Sequence, residues 1–159
     1  MAWQIREAKE ADYPGIAEAH VASIKAIGPS GYSQEVVELW AAPRDASIYR
    51  AASANGESFF VAEDDRGAVI GFSSARYSDV ATVAVYVRGD AARIGVGSAL
   101  LAAAEARLRE LGASEIVIDA SLTAVRFYET NGYEALGRAE HVLSSGGAMA
   151  CERMAKSLA

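Results

Sequence analysis

The 159-residue chain has one cysteine, no cluster of basic residues and no long apolar run. The single Cys151 cannot form an internal disulfide or a cysteine-cluster metal site, which favours a reducing cytoplasm and a protein without a bound metal. No apolar run is long enough to cross a bilayer, so no membrane partner is expected. The first residues, MAWQIREAKEAD, carry mixed charge without an apolar segment, so we expect no signal peptide.

The charge balance of the chain is acidic. It has 21 acidic and 15 basic residues and a net charge of −6, with no Lys/Arg cluster, which argues against a nucleic-acid partner. A negative surface favours a cationic substrate such as an amine, although many acidic surfaces serve solubility alone. The length and the 52% hydrophobic content predict a single globular domain over residues 1–159.

The pattern of apolar residues predicts helices and strands in mixed order, without repeats or a linker. Strands are predicted at 3–7, 57–63, 68–77, 80–87, 115–119, 132–137 and 148–154. Helices are predicted at 11–27, 34–42, 45–54, 95 to about 111, and 121–130. Because the hairpin at 57–77 interrupts the alternation, this order does not predict a doubly wound sheet.

The stretch from Val83 to Leu101 carries the strongest functional signal. An apolar, β-branched strand is followed by a short polar connection, and then Gly95 and Gly97 open a helix. Glycines at the start of a helix expose backbone N–H groups, and the helix dipole adds partial positive charge, so this loop predicts a phosphate or pyrophosphate site. The alternative is an ordinary tight turn between strand and helix.

Two other phosphate-binding motifs fit this loop poorly. No Lys-Ser/Thr pair follows the glycines, which excludes a P-loop. Leu100 occupies the place of the third glycine of a dinucleotide-binding fingerprint, and no second βαβ half is visible.

Two signatures in the chain resemble those of the GNAT superfamily of acetyl-CoA-dependent N-acyltransferases. Val87 to Leu101 is similar to the acetyl-CoA loop of that family, a strand ending in Val, a spacer, [Q/R]-x-x-G-x-[G/A] and an apolar helix. Residues 124–133, AVRFYETNGY, resemble the second signature, A-x-x-F-Y-x-x-x-G-[F/Y]. Ile5-Arg6, followed by Asp12 and Ile16, is similar to the usual first strand and helix. The resemblance covers nearly the whole chain, with the two signatures in order and at the family spacing.

Three positions depart from the family pattern. Ala92 replaces the Gln or Arg of the loop, although Arg93 follows it and backbone groups do most of the phosphate binding. Gly89 stands where many relatives carry Pro. Ser121 stands where many carry Asn, and we expect it to cap the next helix and to hydrogen-bond the pantetheine arm.

The resemblance implies an α/β (α+β) fold, with a mixed, mostly antiparallel central sheet, a splayed central strand and helices on both faces. It implies an enzyme that transfers acetyl from acetyl-CoA directly to an amine of a small molecule or peptide. The residues that it implies in cofactor binding are Val85, Tyr86, Val87, Ala92, Arg93, Ile94, Gly95, Val96, Gly97, Ser98, Ser121 and Tyr128.

The resemblance also places the Tyr128 hydroxyl near the CoA sulfur as the general acid. A phenol with a pKa of about 10 can protonate a thiolate whose conjugate acid has a pKa of about 8.5. The alternative is a packed aromatic beside Phe127, which we expect in the core. The general base stays open between Asp79, Asp119 and a water relay, because the central strand offers no carboxylate.

The two histidines and the cysteine are interpreted structurally. His20 falls on an apolar helical stripe, which favours a satisfied or lining histidine over a general base. His141 is expected in a loop after the sixth strand, where it could reach the acceptor side, although an exposed bystander is favoured. Cys151 has no sequence neighbour that would activate it, so we expect a small buried apolar group.

Three aromatic residues, Tyr32, Trp40 and Tyr49, fit an acceptor pocket and a plain core equally well. Glu63 and Asp64 fall in a hairpin and are expected to be solvated.

A different class of function remains open. The missing carboxylate on the central strand supports a non-catalytic acyl-CoA-binding module, whereas Tyr128 and the glycine loop favour the enzyme. A nucleotide-binding regulator is disfavoured by the absent lysine and the acidic charge. The acceptor, the length of the acyl group and the choice between monomer and homodimer stay undetermined.

Overall fold

A seven-stranded mixed sheet forms the centre of the molecule, and the computed structural model describes residues 2–159. The strands are β1 (Trp3–Glu7), β2 (Ser58–Asp64), β3 (Val69–Tyr77), β4 (Ala81–Val87), β5 (Glu115–Ser121), β6 (Glu134–Val142) and β7 (Ala148–Ser157). The helices are α1 (Tyr13–Ile27), α2 (Gln34–Trp40), α3 (Ala46–Ala54), α4 (Val96–Glu110) and α5 (Val125–Thr130). Each helix and strand predicted from the sequence is present, so the order of elements is confirmed.

The predicted boundaries were wrong at the start of two helices. The helix predicted from residue 11 begins at Tyr13, because residues 10–12 form a 3-10 turn and Pro14 occupies the first helical turn. The helix predicted from residue 121 begins at Val125. Residues 121–124 form a turn instead, in which the Ala124 N–H donates to the Ser121 carbonyl at 2.9 Å.

The sixth strand is also longer than predicted. β6 continues past Gly137 to Val142, because a bulge between Ala135 and Gly137 absorbs the glycine and lets pairing with β7 resume. His141 therefore lies within β6, opposite Met149, and not in a loop as expected. The seventh strand likewise continues beyond residue 154, to Ser157.

The sheet has the order β1-β2-β3-β4-β5-β7-β6. Neighbouring strands are antiparallel except β4 and β5, which are parallel and share the single register pair Ala81–Ile116. β4 pairs with β3 along its whole length, from Tyr77–Ala81 to Gly71–Val87. The two central strands thus separate after their first residues, which confirms the predicted splayed strand.

The two faces of the sheet are covered by different helices. Phe59 and Val61 of β2 pack against α1 and α3, whereas Phe60 and Ala62 pack against α4, as alternation along a strand requires. α2 joins the first face through Trp40, and α5 joins the second face beside α4. The prediction of helices on both faces of a mostly antiparallel sheet is confirmed. No helix between residues 2 and 159 has the length and apolar character needed to span a membrane.

An ion cluster fixes the start of the chain to the sheet. Arg6 donates two hydrogen bonds to the Asp12 carboxylate, at 2.7 and 2.9 Å, and one to Glu63 at 3.0 Å. The bonds from Arg6 hold the pKa of Asp12 below its usual range. The expectation that Glu63 is merely solvated was wrong, because antiparallel pairing of β1 with β2 brings Arg6 and Gln4 to it.

A second polar cluster holds α4 against the end of the chain. Glu105, which is buried, accepts hydrogen bonds from the Tyr133 hydroxyl at 2.8 Å and from Lys156 Nζ at 3.1 Å. Lys156 also donates to the Asn131 carbonyl at 2.9 Å, at the end of α5. These contacts offset the cost of burying the carboxylate and fix α5, which carries Tyr128.

Candidate active site

The candidate site is the gap between β4 and β5. Because the two strands separate after Ala81 and Ile116, the edge of β4 that faces β5 is left without a partner strand. A cavity of about 1040 Å³ occupies this gap. Its lining comes from the glycine loop, from β4, β5, β6 and β7, and from α1, α2 and α5, so elements on both faces of the sheet contribute.

The glycine loop forms one end of this cavity. Arg93 and Gly95 both have left-handed backbones, with φ of 65° and 88°, and Gly95 is the N-cap of α4. Left-handed residues in such a turn direct successive N–H groups to one side, and the first N–H groups of a helix have no intrahelical partner. The loop therefore presents unpaired donors and the positive end of a helix dipole to the cavity.

Two glycines permit close packing around this end. A Cβ on Gly97 would lie 3.0 Å from Phe127 Cε1, so the missing side chain lets α4 approach α5. A Cβ on Gly89 would lie 2.7 Å from the Cβ of Ala26. The departure from proline at this position thus has a physical reason, since any residue with a Cβ would push away the end of α1.

Tyr128 lies where the cavity crosses the sheet. Its ring is 6% exposed and makes edge contacts with Phe127 and Tyr133, at centroid distances of 5.1 and 5.2 Å. Burial raises the pKa of Tyr128 above its ordinary value, and the neighbouring Tyr86 and Glu105 raise it further. The phenol is therefore protonated at neutral pH, in the state that a proton donor needs.

Most of the residues predicted to bind cofactor line this one cavity. The lining includes Val85, Tyr86, Val87, Ala92, Arg93, Gly95, Gly97, Ser98, Ser121 and Tyr128. Ile94 and Val96 are not brought to it. Ile94 is 44% exposed at the surface, and Val96, the first residue of α4, is buried against the sheet.

The prediction that Ser121 caps the following helix was wrong. α5 begins four residues later, its N-cap is Ala124, and no side chain caps it. The Ser121 hydroxyl lies 2.9 Å from the Thr123 hydroxyl within the intervening turn. Ser121 still lines the cavity as the last residue of β5.

Another part of the cavity lining is built by residues that the sequence did not identify as a group. We call this surface the acceptor wall. It consists of Ile24, Trp40, Tyr86, His141, Met149 and Cys151. Ile24 and Trp40 come from α1 and α2, and Met149 and Cys151 come from β7. Trp40 was a candidate for an acceptor pocket, and Tyr86 was predicted to bind cofactor. Only contacts between distant parts of the chain bring the six side chains together, so no local motif indicated the group.

The three undecided aromatic residues have different positions. Trp40 lines the cavity, and Tyr49 is buried in the core beside Tyr13 and Phe59. Tyr32 lies behind the acceptor wall, with its ring edge-on to Trp40 at 5.7 Å.

His20 is a half-buried, neutral histidine. Its Nδ1 lies 2.9 Å from the Tyr49 hydroxyl, and its ring packs 4.1 Å from that of Tyr86. Burial, with a smaller effect of Arg44, lowers the pKa of His20 to about 3. Its Nε2 is buried without a hydrogen-bond partner among the described residues.

The candidate bases occupy different positions. Asp119 lines the cavity, but its carboxylate is paired with Arg153 at 3.0 Å. Asp79 lies in the β3–β4 turn and is not part of the lining. Of these two carboxylates, Asp119 alone reaches the site.

A sheet that opens at its parallel pair, with a helix N-terminus at one end of the gap and a buried phenol across it, defines a class of acyl-group transferases. The family described as "Acetyltransferase (GNAT) domain" matches residues 30–143. The chain belongs to this family of acetyltransferases.

Several solved structures have the same fold. A GCN5-related N-acetyltransferase from Rhodopseudomonas palustris is 30% identical, with a TM-score of 0.86 over 99% of this chain and 97% of that one. A phosphinothricin acetyltransferase from Sinorhizobium meliloti, in complex with AcCoA, is 22% identical, with a TM-score of 0.76 over 99% and 89%. The PaiA N-acetyltransferase from Thermoplasma acidophilum, in complex with coenzyme A, is 22% identical, with a TM-score of 0.77 over 99% of both chains. None of the curated proteins compared with this chain matches it in sequence.

Proposed function

We propose that this protein transfers an acetyl group from acetyl-CoA to an amine, directly and within a ternary complex. The observation that carries the proposal is that the glycine loop, Tyr128 and the acceptor wall line one and the same cavity. That two structures of the same fold hold AcCoA or coenzyme A supports the choice of cosubstrate. The chain would act as one catalytic domain over residues 1–159, in the cytoplasm.

The loop residues fit the pyrophosphate of acetyl-CoA. Backbone N–H groups of residues 93–98 would bind it, with Arg93 as the one basic side chain of the lining. The pantetheine arm would lie along the free edge of β4 at residues 85–87. An extended arm carrying amides can hydrogen-bond a strand edge as another strand would.

The chemistry that we propose is a single acyl transfer. The lone pair of a neutral amine attacks the thioester carbon, the carbon–sulfur bond breaks, and Tyr128 gives its proton to the departing thiolate. The nitrogen loses one proton through water, and Tyr128 recovers a proton from solvent. Holding both reactants in one cavity supplies much of the rate enhancement.

The structure supports a water relay over a direct carboxylate base. β4 has no acidic residue, and the Asp119 carboxylate is engaged by Arg153. A water molecule in the cavity can accept the proton of the amine without either group. An amine attacks through its lone pair and therefore reacts in its neutral form. Because no carboxylate base would deprotonate it in the site, we expect the rate to rise with the neutral fraction of the acceptor.

A non-catalytic acyl-CoA-binding module is the second candidate function. The same absence of a free carboxylate in the described lining favours it. Both candidates require the cosubstrate to bind, and only the enzyme requires turnover.

Calorimetric titration with acetyl-CoA tests the part that both candidates share. We expect binding at micromolar to high-micromolar concentrations, and an absence of heat at high-micromolar acetyl-CoA would overturn both. Release of free CoA thiol in the presence of a broad panel of amines then separates them. Binding without amine-dependent thiol release would favour the module and contradict the enzyme.

A further inference from the structure

The acceptor wall is apolar and closely packed. Ile24, Met149 and Cys151 are each less than 5% exposed, and Trp40 is 7% exposed. Ile24, Trp40 and Met149 belong to one hydrophobic cluster, against which Tyr86 packs. Closely packed side chains form a binding surface of fixed shape. The apolar chemistry of that surface therefore limits which molecules can bind to it.

The polar groups of this wall are uncharged or few. Burial raises the pKa of the Tyr86 hydroxyl, so it is uncharged at neutral pH. Cys151 offers a thiol whose pKa is raised, mainly by burial, so it is uncharged at neutral pH. His141, on the exposed strand β6, is the one wall residue with an exposed polar ring.

No Lys or Arg side chain belongs to the acceptor wall. Among the described residues that line the cavity, Arg93 is the sole Lys or Arg, and it belongs to the glycine loop. The charge of Arg44 acts on Tyr86, but the Arg44 guanidinium donates to the carbonyls of Trp40 and Ala42, at 3.0 and 3.1 Å, and does not line the cavity. Asp119 is the sole carboxylate of that lining, and it is neutralised by Arg153 at 3.0 Å. A substrate carboxylate placed against Ile24, Trp40 and Met149 would lose its hydration without gaining a partner.

We infer that the acceptor is a primary amine on an apolar, preferably aromatic, body that bears no acidic group beside the amine. This inference rests on the proposed N-acetyltransferase function and specifies the substrate class of the same site. It excludes free α-amino acids as good acceptors, because each carries a carboxylate on the carbon next to the nitrogen. A carboxylate that loses water and finds no partner in the site is strongly disfavoured, so the site should discriminate strongly between amines with and without one.

Three acceptors of nearly equal size test this inference with the full-length protein and acetyl-CoA. 2-Phenylethylamine lacks the carboxylate, L-phenylalanine has it, and L-phenylalaninamide replaces it with a neutral group of similar volume. Each kcat/KM is divided by the neutral fraction of its amine at the assay pH, because the three amines differ in pKa. We expect the amine and the amide to exceed phenylalanine by at least about 100-fold.

A charge placed on the wall provides the matched test. His141→Arg adds a cation at an exposed position of β6, and His141→Gln changes the same side chain without adding charge. We expect His141→Arg to raise kcat/KM for phenylalanine relative to phenylalaninamide by about 10-fold or more, and His141→Gln to keep the wild-type ratio. Titration with acetyl-CoA checks that both variants retain a folded cosubstrate site.

The possible outcomes separate this inference from the proposed function. If phenylalanine matches phenylalaninamide, or if acidic amines are acetylated and these apolar ones are not, the inference is overturned and the proposed function stands. If acetyl-CoA binds but no amine of any class is acetylated, both are overturned. If acetyl-CoA does not bind, the proposed function fails at its first step.

Discussion

The Tyr32 hydroxyl donates a hydrogen bond of 2.6 Å to the carbonyl oxygen of Ala150 in β7. The same hydroxyl accepts a hydrogen bond of 2.8 Å from the backbone N–H of Leu122, in the turn between β5 and α5. One phenol thus joins the connection between α1 and α2 to the two segments that hold Cys151 and Tyr128. In the same place a Cβ on Gly31 would lie 2.8 Å from Thr123 Cγ2, which shows how closely the connection approaches the turn.

Tyr32→Phe is predicted to loosen the acceptor side of the cavity. It leaves one donor and one acceptor of the backbone without this partner, so we expect the free energy of unfolding to fall by about 1 to 2 kcal/mol. Tyr32 supports Trp40 and not the glycine loop. A less firmly held Trp40 should position the acceptor less well, so we expect the KM for the acceptor to rise about 5-fold. The affinity for acetyl-CoA should change little. Tyr77→Phe, at a 42% exposed tyrosine, is the control. An unchanged KM for the acceptor would contradict this role.

Tyr128→Phe is predicted to lower kcat by about 100-fold or more, since it removes the proposed general acid. Burial raises the pKa of Tyr128 above its ordinary value, so the wild-type phenol stays protonated as the pH rises to about 9. The loss in kcat should therefore be of similar size from pH 7 to pH 9, with acetyl-CoA affinity retained. Tyr13→Phe, which removes a buried phenol on the α1 face, should leave kcat intact. A variant at Tyr128 with wild-type turnover would exclude the acid role.

Gly97→Val is predicted to weaken acetyl-CoA binding. Even a Cβ would lie 3.0 Å from the Phe127 ring, so a branched side chain must displace α5 or project into the cavity. We expect a loss of affinity of about 10-fold or more, corresponding to about 1.4 kcal/mol. The control is Ala102→Val, at an exposed position of the same helix, which introduces the same side chain without this contact. Equal calorimetric affinities in the two variants would show that the close approach at Gly97 is not needed.

His20 is predicted to make the protein less stable in mild acid. Its pKa is lowered to about 3 in the folded state, whereas an unfolded histidine titrates near 6.5, so the unfolded chain binds the extra proton between these values. Its contribution to stability is complete above pH 6.5 and is lost as the pH falls. Between pH 6.5 and pH 5 we expect the free energy of unfolding to drop by about 2 kcal/mol.

His20→Gln should remove most of this slope, because glutamine does not titrate. His141→Gln, which changes an exposed histidine, is the control and should keep the slope. Urea unfolding of the three proteins at pH 7 and pH 5 provides the measurement. The lowered pKa of His20 would not explain the acid sensitivity if His20→Gln lost as much stability between pH 7 and pH 5 as the wild type.

Some residues of the candidate site could be identified from their sequence neighbours, and others depended on contacts with remote parts of the chain. Gly95 and Gly97 could be recognised because backbone N–H groups at a helix start need only a strand, a turn and a helix in succession. Tyr128 was identified through its signature, and its role as the general acid stays a prediction. Ser121 was misjudged as a cap because the length of the turn between β5 and α5 depends on contacts with Tyr32 and Gly31, far away in the chain.

His141 was misplaced for a similar reason. Gly137 indicates the end of a strand when the sequence is considered alone. In the structure it belongs to a bulge opposite β7, and the pairing continues to Val142. Glu63 was expected to be solvated because no partner lies near it in the sequence. Its partner, Arg6, is on another strand, 57 positions away. In each case the deciding partner was remote in sequence.

The amino-acid sequence by itself determined the order of the helices and strands and the glycine loop, because periodicity, capping and turn chemistry act between near neighbours. The tertiary structure decided where β4 and β5 separate, which side chains form the acceptor wall, and that Asp119 is already paired. Those features depend on contacts among α1, α2, β5 and β7, whose side chains meet only after the sheet has assembled.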